Sequence, residues 1–254
     1  MSYIEIDRHG GKMHIPAFIT VRTTSSRLPG KCLLPFGEGN VLEHVIRRAK
    51  FFELDPIVCT TDQDEDDVIE ELATREDVKC FRGHPIHKLK RWLDCCDAFG
   101  LTAFHTVDAD DPFFDGNLVR KSFALLAEGY DVVAPTDSSS MGSASVGYSL
   151  TRNIVAEACA LTDSEDTEMM WYYVEKVPGL RKIKLQEEDA NPFQIRLTLD
   201  YEEDYWLLRT VQRILGTYAP RKEVDNLFRR NPDLFQINWF RNQEWKEGQL
   251  AKKI

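Results

Sequence analysis

No run in the 254-residue sequence approaches the roughly 18 consecutive apolar residues of a membrane span, and the opening MSYIEIDRHGGKMH has no apolar stretch of signal-peptide length. Membrane insertion and secretion are therefore not expected, and a cytoplasmic protein is. Positive charge is in short supply: 32 Lys and Arg against 42 Asp and Glu leave a formal net charge of −10. A nucleic-acid-binding surface needs a basic face to displace counterions from phosphates, so that function is not expected either. Any anionic ligand has to be met by a local basic cluster. The six cysteines (Cys32, Cys59, Cys80, Cys95, Cys96, Cys159) show no CxxC spacing, and several fall inside apolar runs, as buried reduced thiols do. That argues against structural zinc and for a reducing compartment. His84 and His87 have no metal-ligand spacing to another His or Cys and read as surface residues. Internal repeats and interdomain linkers are also missing, which leaves one domain over residues 1–254.

What is present is an alternation of short β-rich runs with helical periods, the pattern of βαβ units and a mostly parallel sheet with helices on both faces. Strands are predicted at Ile15 to Val21, Ile57 to Thr61, Val78 to Arg82, Ala103 to Val107 and Asp131 to Ala134. The first helix opens at Asn40 with a capping-box spacing to Glu43 and continues through Val41, Leu42, Val45, Ile46, Ala49 and Phe52 at helical period. Further helices are predicted at Glu65 to Thr74, Ile86 to Phe99, Asn117 to Leu126, Tyr201 to Leu215 and Glu223 to Arg230, the last leading into a polar tail. After Pro135 the texture turns to TDSSSMGSAS, which reads as a loop, and an inserted or protruding element is expected within about 136–195. Strands are predicted within or beside it at Val146 to Leu150, Leu180 to Gln186 and Gln194 to Leu199.

The first strand runs into VRTTSSRLPGK, where Arg22, Arg27 and Lys31 share eleven residues with four hydroxyls. Parallel α/β sheets bind ligands beyond the carboxyl ends of their strands, so this loop lies where a ligand is expected. Arg22 and Lys31 can neutralise triphosphate oxygens and Arg27 offers a planar fork. Ser25, Ser26 and the backbone N–H groups can complete a phosphate cradle, with Gly30 letting the chain bend close. A solvated basic turn is the bland alternative.

The string from Arg22 through Ser25, Ser26, Arg27, Leu28, Pro29 and Gly30 to Lys31 resembles the opening loop of the CTP-dependent sugar-acid cytidylyltransferases, the group of the 3-deoxy-manno-octulosonate (KDO) and acylneuraminate enzymes. LLPFGEGNVLEHVIRRAK is similar to that family's next strand-turn-helix, and CTTDQDEDDVIEEL to its second strand and acidic turn. VKCFRGHPIHKLKRW and NPDLFQIN resemble the spore-coat polysaccharide branch. Arg82, Gly83, Leu89 and Arg91 match its pattern, while Pro85, His87, Lys88 and Lys90 depart from it. The resemblance implies a Rossmann-like nucleotidyltransferase fold with a small protruding dimerisation element, and hence a homodimer. It also implies CMP transfer from CTP to a KDO-like or nonulosonic acid for surface polysaccharide biosynthesis, with pyrophosphate released. Arg22 and Lys31 would sit on the triphosphate, Arg82 on base or ribose, and Arg91 on nucleotide or sugar acid. Arg91, with Lys88 and Lys90, also reads as the wet face of an amphipathic helix.

VDADDPFFD carries four carboxylates in nine residues, hard ligands of the kind that Mg²⁺ takes together with substrate phosphates. By resemblance Asp110 is a metal ligand and Asp200 a second one, with Arg22, Lys31 and Asp110 as the catalytic group. Asp108 is an added charge without an assigned role. Asp115 reads as the cap of the helix after it, and Asp200 with Glu203 as a capping box. Two other functions stay open: a metal-dependent glycosyltransferase, since Asp108-Ala109-Asp110 is a DxD, and a catalytically silent nucleotide-binding relative.

Overall fold

In the computed structural model, residues 14–186 and 195–251 are described. Their elements run β1 (Pro16–Thr20), β2 (Pro35–Phe36), β3 (Gly39–Asn40), α1 (Val41–Phe51), β4 (Asp55–Thr61), α2 (Asp67–Arg75), β5 (Lys79–Gly83), α3 (Lys88–Phe99) and β6 (Ala103–Asp108). There follow α4 (Gly116–Leu126), β7 (Val132–Ala134), β8 (Ser149–Thr151), α5 (Arg152–Ala160), α6 (Met170–Val174) and β9 (Lys182–Lys184). The chain ends with α7 (Glu202–Leu215), α8 (Arg221–Arg230) and α9 (Arg241–Ala251).

Seven strands form one sheet in the order β5-β4-β1-β6-β8-β7-β9. All pairings are parallel except those of β8, which runs antiparallel to β6 and β7. Successive side chains of a strand point to opposite faces. Accordingly Ala17 and Ile19 of β1 pack with Leu42 and Ile46 of α1 and with helices α2 and α4, whereas Phe18 packs with Leu89 and Trp92 of α3 and with α5 and α6. A third apolar cluster joins α7 and α8 to Phe36 and Phe113 beside the sheet. α1 starts as its sequence dictates: Asn40 Oδ1 accepts from the Glu43 N–H at 2.9 Å, and Glu43 Oε2 from the Asn40 N–H at 2.8 Å. Asp115 caps α4 through the N–H groups of Asn117 and Leu118.

Several expectations change. Residues 195–200 are extended but join no sheet; Leu197 N–H donates to Gly142 O and Leu199 N–H to Asp110 O. Gln194 itself lies outside the described residues, as do 187–193 of the stretch expected to protrude. The rest of that stretch supplies β8 and β9 to the central sheet, and α5 packs on the same side of it as α3. The Ser-rich segment is a wide helical turn at Ser139–Ser143, where Ser139 Oγ donates to Val146 O and accepts from the Ser145 and Val146 N–H groups. The polar tail is helix α9, in which Asn242 is buried. Among the described residues no helix is long and apolar enough to cross a membrane.

Two histidines are folded into the core uncharged. His44 donates from Nε2 to Pro112 O at 2.8 Å, and His105 bonds Ser149 Oγ through Nδ1 at 2.8 Å. Burial lowers them to about 4 and about 3, respectively, from the usual 6.5. A histidine depressed in the native state contributes fully above its unfolded pKa, and that contribution is lost as pH falls from 6.5 toward the folded value. Between pH 7.5 and pH 5 each should cost about 2 kcal/mol of stability. The urea midpoint is therefore expected to drop across this window, and the double variant His44→Gln/His105→Gln should show a flatter slope. A midpoint that does not move between pH 7.5 and 5 would contradict the assignment.

Candidate active site

The sequence places a basic loop after β1 and carboxylates after β6, and β1 and β6 are neighbours in the sheet. Their carboxyl ends open into a cavity of about 630 Å³. Arg22, Ser25, Ser26, Arg27, Lys31, Arg91, Asp110 and Asp200 all line it. Arg82 does not: its guanidinium is engaged by Asp67, Glu70 and the carbonyls of Thr61 and Gln63, away from the cavity. Its expected contact with base or ribose is therefore not supported by where it lies.

Gly30 adopts a left-handed conformation (φ 64°) that turns the chain so that Lys31 enters the interior. Lys31 Nζ then donates to Asp110 Oδ2 at 2.6 Å, Leu199 O at 2.8 Å and Asp200 Oδ1 at 3.1 Å. Burial opposes its charge, yet Asp110 and Asp200 prevail and lift it above the ordinary lysine range. Arg27 joins from the same loop, donating to Asp200 Oδ1 at 2.6 Å. Asp200 also receives Arg196 Nη2 at 3.2 Å on Oδ2. Desolvation would raise Asp200, but Lys31, Arg27 and Arg196 hold it below the carboxylate norm. Asp110 goes the other way, to about 6: desolvation lifts it, Asp200 and Asp108 add repulsion, and Lys31 only partly offsets them.

Asp200 does not cap α7. The carboxylate of Asp204, fully buried, accepts from the N–H groups of Asp200 (2.9 Å) and Tyr201 (3.0 Å), while Glu203 pairs outward with Arg241. The capping role thus sits one residue further along, and Asp200 is left to face the cations.

Sequence reading also missed the groups that fix the loop and close the cavity. Asp66, from the acidic turn after β4, accepts from both the N–H and the hydroxyl of Thr23 at 2.8 Å and from Thr60 and Thr61, anchoring the loop from 43 positions away. Asp108 accepts from Lys88 Nζ at 3.3 Å. Lys88 and Arg91 are buried, so the wet-face reading holds only for Lys90, which pairs with Asp94 on the surface. Trp245 and Lys246 of α9 complete the lining. Gly147 lines it too, and any Cβ there would lie 2.1 Å from Thr106 O. His84 and His87 are half-buried: His84 Nδ1 accepts from the His87 N–H, and His87 Nδ1 from the Lys90 N–H at the start of α3.

A magnesium ion takes one or two carboxylates and fills its remaining positions with substrate oxygens and water. The donors fit that chemistry. Among the described residues Asp110 Oδ1 has no hydrogen-bond partner, whereas Asp200 Oδ1 is taken by Arg27 and Lys31, cavity-lining cations that a phosphate can draw away, and its Oδ2 by the buried Arg196. No cluster of three or more His, Cys, Asp or Glu suited to a metal occurs among the described residues, so a complete protein cage is not on offer. Asp108 and Asp110 turn to different lysines and do not converge as a DxD chelate.

A mostly parallel sheet with a basic loop and a carboxylate turn at the ends of adjacent strands defines a Rossmann-like nucleotidyltransferase. Residues 17–236 match the family model described as cytidylyltransferase, and the chain belongs to that family. It is 26% identical over 230 residues to the spore coat polysaccharide biosynthesis protein SpsF of Bacillus subtilis, covering 85% of this chain and 94% of the relative. The fold is also that of a cytidylyltransferase from Leptospira borgpetersenii (TM-score 0.80, 23% identity, 89% of this chain and 98% of that one). It is likewise shared with a CMP:2-keto-3-deoxy-manno-octonic acid synthetase solved with CTP (TM-score 0.59, 14% identity, 79% of this chain and 99% of that one).

Proposed function

We propose that the protein transfers CMP from CTP to a hydroxyl of a KDO-like or nonulosonic sugar acid, for surface polysaccharide biosynthesis. The observation that carries this reading is Lys31 held between Asp110 and Asp200 on the wall of a cavity that Arg22 and Arg27 also line. The sugar hydroxyl oxygen bonds to the α-phosphorus, the bond from that phosphorus to the bridging oxygen breaks, and pyrophosphate leaves with the electron pair. The hydroxyl proton passes to water. Positioning and charge neutralisation supply most of the acceleration in such a transfer, so a histidine or cysteine nucleophile is not required. Arg22, Arg27 and Lys31 take the triphosphate oxygens and stabilise the departing pyrophosphate. Mg²⁺, held by Asp110 and Asp200, would neutralise charge at the α-phosphate. A homodimer is proposed by analogy with the family.

The test is pyrophosphate release from CTP, ATP, GTP and UTP with Mg²⁺ across 2-keto sugar acids including KDO and N-acetylneuraminate. Release confined to CTP and one acid is expected. CTP binding without release from any acid would favour a silent relative, and release that ignores the base would remove the cytidylyl assignment.

A further inference from the structure

The cavity holds a second pair of cations that the phosphate-binding loop does not account for. Lys88 and Arg91 lie in the first turn of α3, both line the cavity, and they are 7% and 3% exposed. Among the described residues the Lys88 ammonium makes one hydrogen bond, to Asp108 Oδ1 at 3.3 Å, and otherwise faces the Trp92 ring at 5.0 Å. Its partner is loose, since the Asp108 side chain is 45% exposed. Arg91 spends Nη1 on the carbonyls of His84 (2.6 Å) and Pro85 (3.4 Å), and its buried Nε has no acceptor. Besides Asp108, the charged neighbours are Arg22, which repels Arg91, Asp66, which attracts it, and Glu168, which attracts both cations and lies 3.9 Å from Arg22; Lys88 and Arg91 themselves repel. Two buried cations with so few acceptors carry a desolvation cost that an incoming anion would offset.

This pair is built from a different side of the sheet than the Lys31 group. α3 packs with α5 and α6 on one face, whereas the first loop leads into α1 on the other, and Lys31 binds the carboxylates after β6 and before α7. Met170, Trp171 and Tyr148 pack with α3 and line the cavity, giving this side apolar and aromatic walls suited to the body of a sugar, with the Glu168 carboxylate also in the lining. We infer that Lys88 and Arg91 form the seat for an anionic group of the acceptor, a carboxylate or a phosphonate, and that Lys88 sets acceptor specificity. This rests on the cytidylyltransferase reading and adds the chemistry of the second substrate. Asp108 is then the counter-ion that keeps Lys88 charged while the seat is empty and that the acceptor's anion displaces.

The experiment is calorimetric titration of the protein, saturated with Mg²⁺ and α,β-methylene-CTP, with KDO, N-acetylneuraminate, methylphosphonate and the uncharged methyl ester of N-acetylneuraminate. At least one of the three anions should bind. Lys88→Gln should weaken that anion by about tenfold or more, and Lys88→Arg should restore most of it, as expected for a charge-assisted contact. The ester should bind weakly, and the affinity for the CTP analogue should be unchanged in Lys88→Gln. Binding confined to the two sugar acids assigns the seat to a carboxylate; binding of methylphosphonate assigns it to a tetrahedral anion. The inference is overturned if none of the three anions binds, if Lys88→Gln leaves anion affinity intact, or if that variant loses the nucleotide instead. Failure of the wild-type protein to bind the CTP analogue would bring down the cytidylyltransferase reading itself, and the seat with it.

Discussion

Replacing Lys31 with alanine, or Asp110 with asparagine, is expected to lower CTP-dependent pyrophosphate release by roughly 10²–10³-fold in each case, the loss typical of removing one preorganised charge from a transition state. The two variants should differ in stability. Lys31 is buried with three acceptors, so its removal strips a cation from Asp110 and Asp200. Collapse is not expected, because Asp200 keeps Arg27 and Arg196 and the Asp110 side chain is 36% exposed. A loss of about 1–3 kcal/mol is the reasonable scale for a buried group left partly unpaired. Asp110→Asn keeps an oxygen for Lys31 and should cost less. If the two side chains act as one unit, the double variant will be little slower than the worse single one, since groups that work together are not additive. Near-normal release by both single variants would remove this cluster from the chemistry.

That Lys31 and a carboxylate turn face one cavity was legible because the information is local: a loop of cations and hydroxyls on one side, a run of carboxylates on the other, each at the end of a recognisable strand; the choice of Asp110 within that run came from the family resemblance. The capping box of α1 was legible for the same reason, with both partners three residues apart. The misses are of another kind. Asp66 serves Thr23 and Lys88 serves Asp108 across 43 and 20 positions, and only the fold brings them together. Helix α9 hid because RNQEWKEGQLA has no apolar stripe. Asn242 and Trp245 hold it by packing against the buried Arg196, a guanidinium that period-based reading cannot see. The run Ile195 to Asp200 shows how a correct pattern can carry a wrong inference. Its alternation is real: Ile195, Leu197 and Leu199 enter the apolar cluster under α7, while Arg196, Thr198 and Asp200 turn the other way, with Thr198 and Asp200 lining the site. A period of two reports an extended chain between unlike surroundings, and says nothing of whether a neighbouring strand is there to pair with it.

The largest loss of stability is expected from Asp204→Ala. Its carboxylate is fully buried and receives five donors: Arg196 Nε and Nη2 at 2.9 Å each, the N–H groups of Asp200 and Tyr201, and Asn238 Nδ2 at 2.9 Å. Removing it leaves the Arg196 guanidinium, which is 0% exposed, with Asp200 as its remaining carboxylate and frees two backbone donors at the start of α7. Breaking a buried pair from one side costs about 3–5 kcal/mol, a large share of the stability of an ordinary domain. Glu203→Gln is the internal comparison. Glu203 meets Arg241 with both side chains about a third exposed, so its loss should stay under about 1 kcal/mol. Urea unfolding of the two variants side by side decides between the capping-box reading, in which Glu203 is the residue that matters, and the geometry, in which Asp204 is. Equal small shifts would mean that Arg196 finds other partners. Because Asp204 also fixes the backbone of Asp200, Asp204→Ala should lose pyrophosphate release even at temperatures where it remains folded. Glu203→Gln should not, and that separates a residue that orients the site from one that decorates the helix beside it.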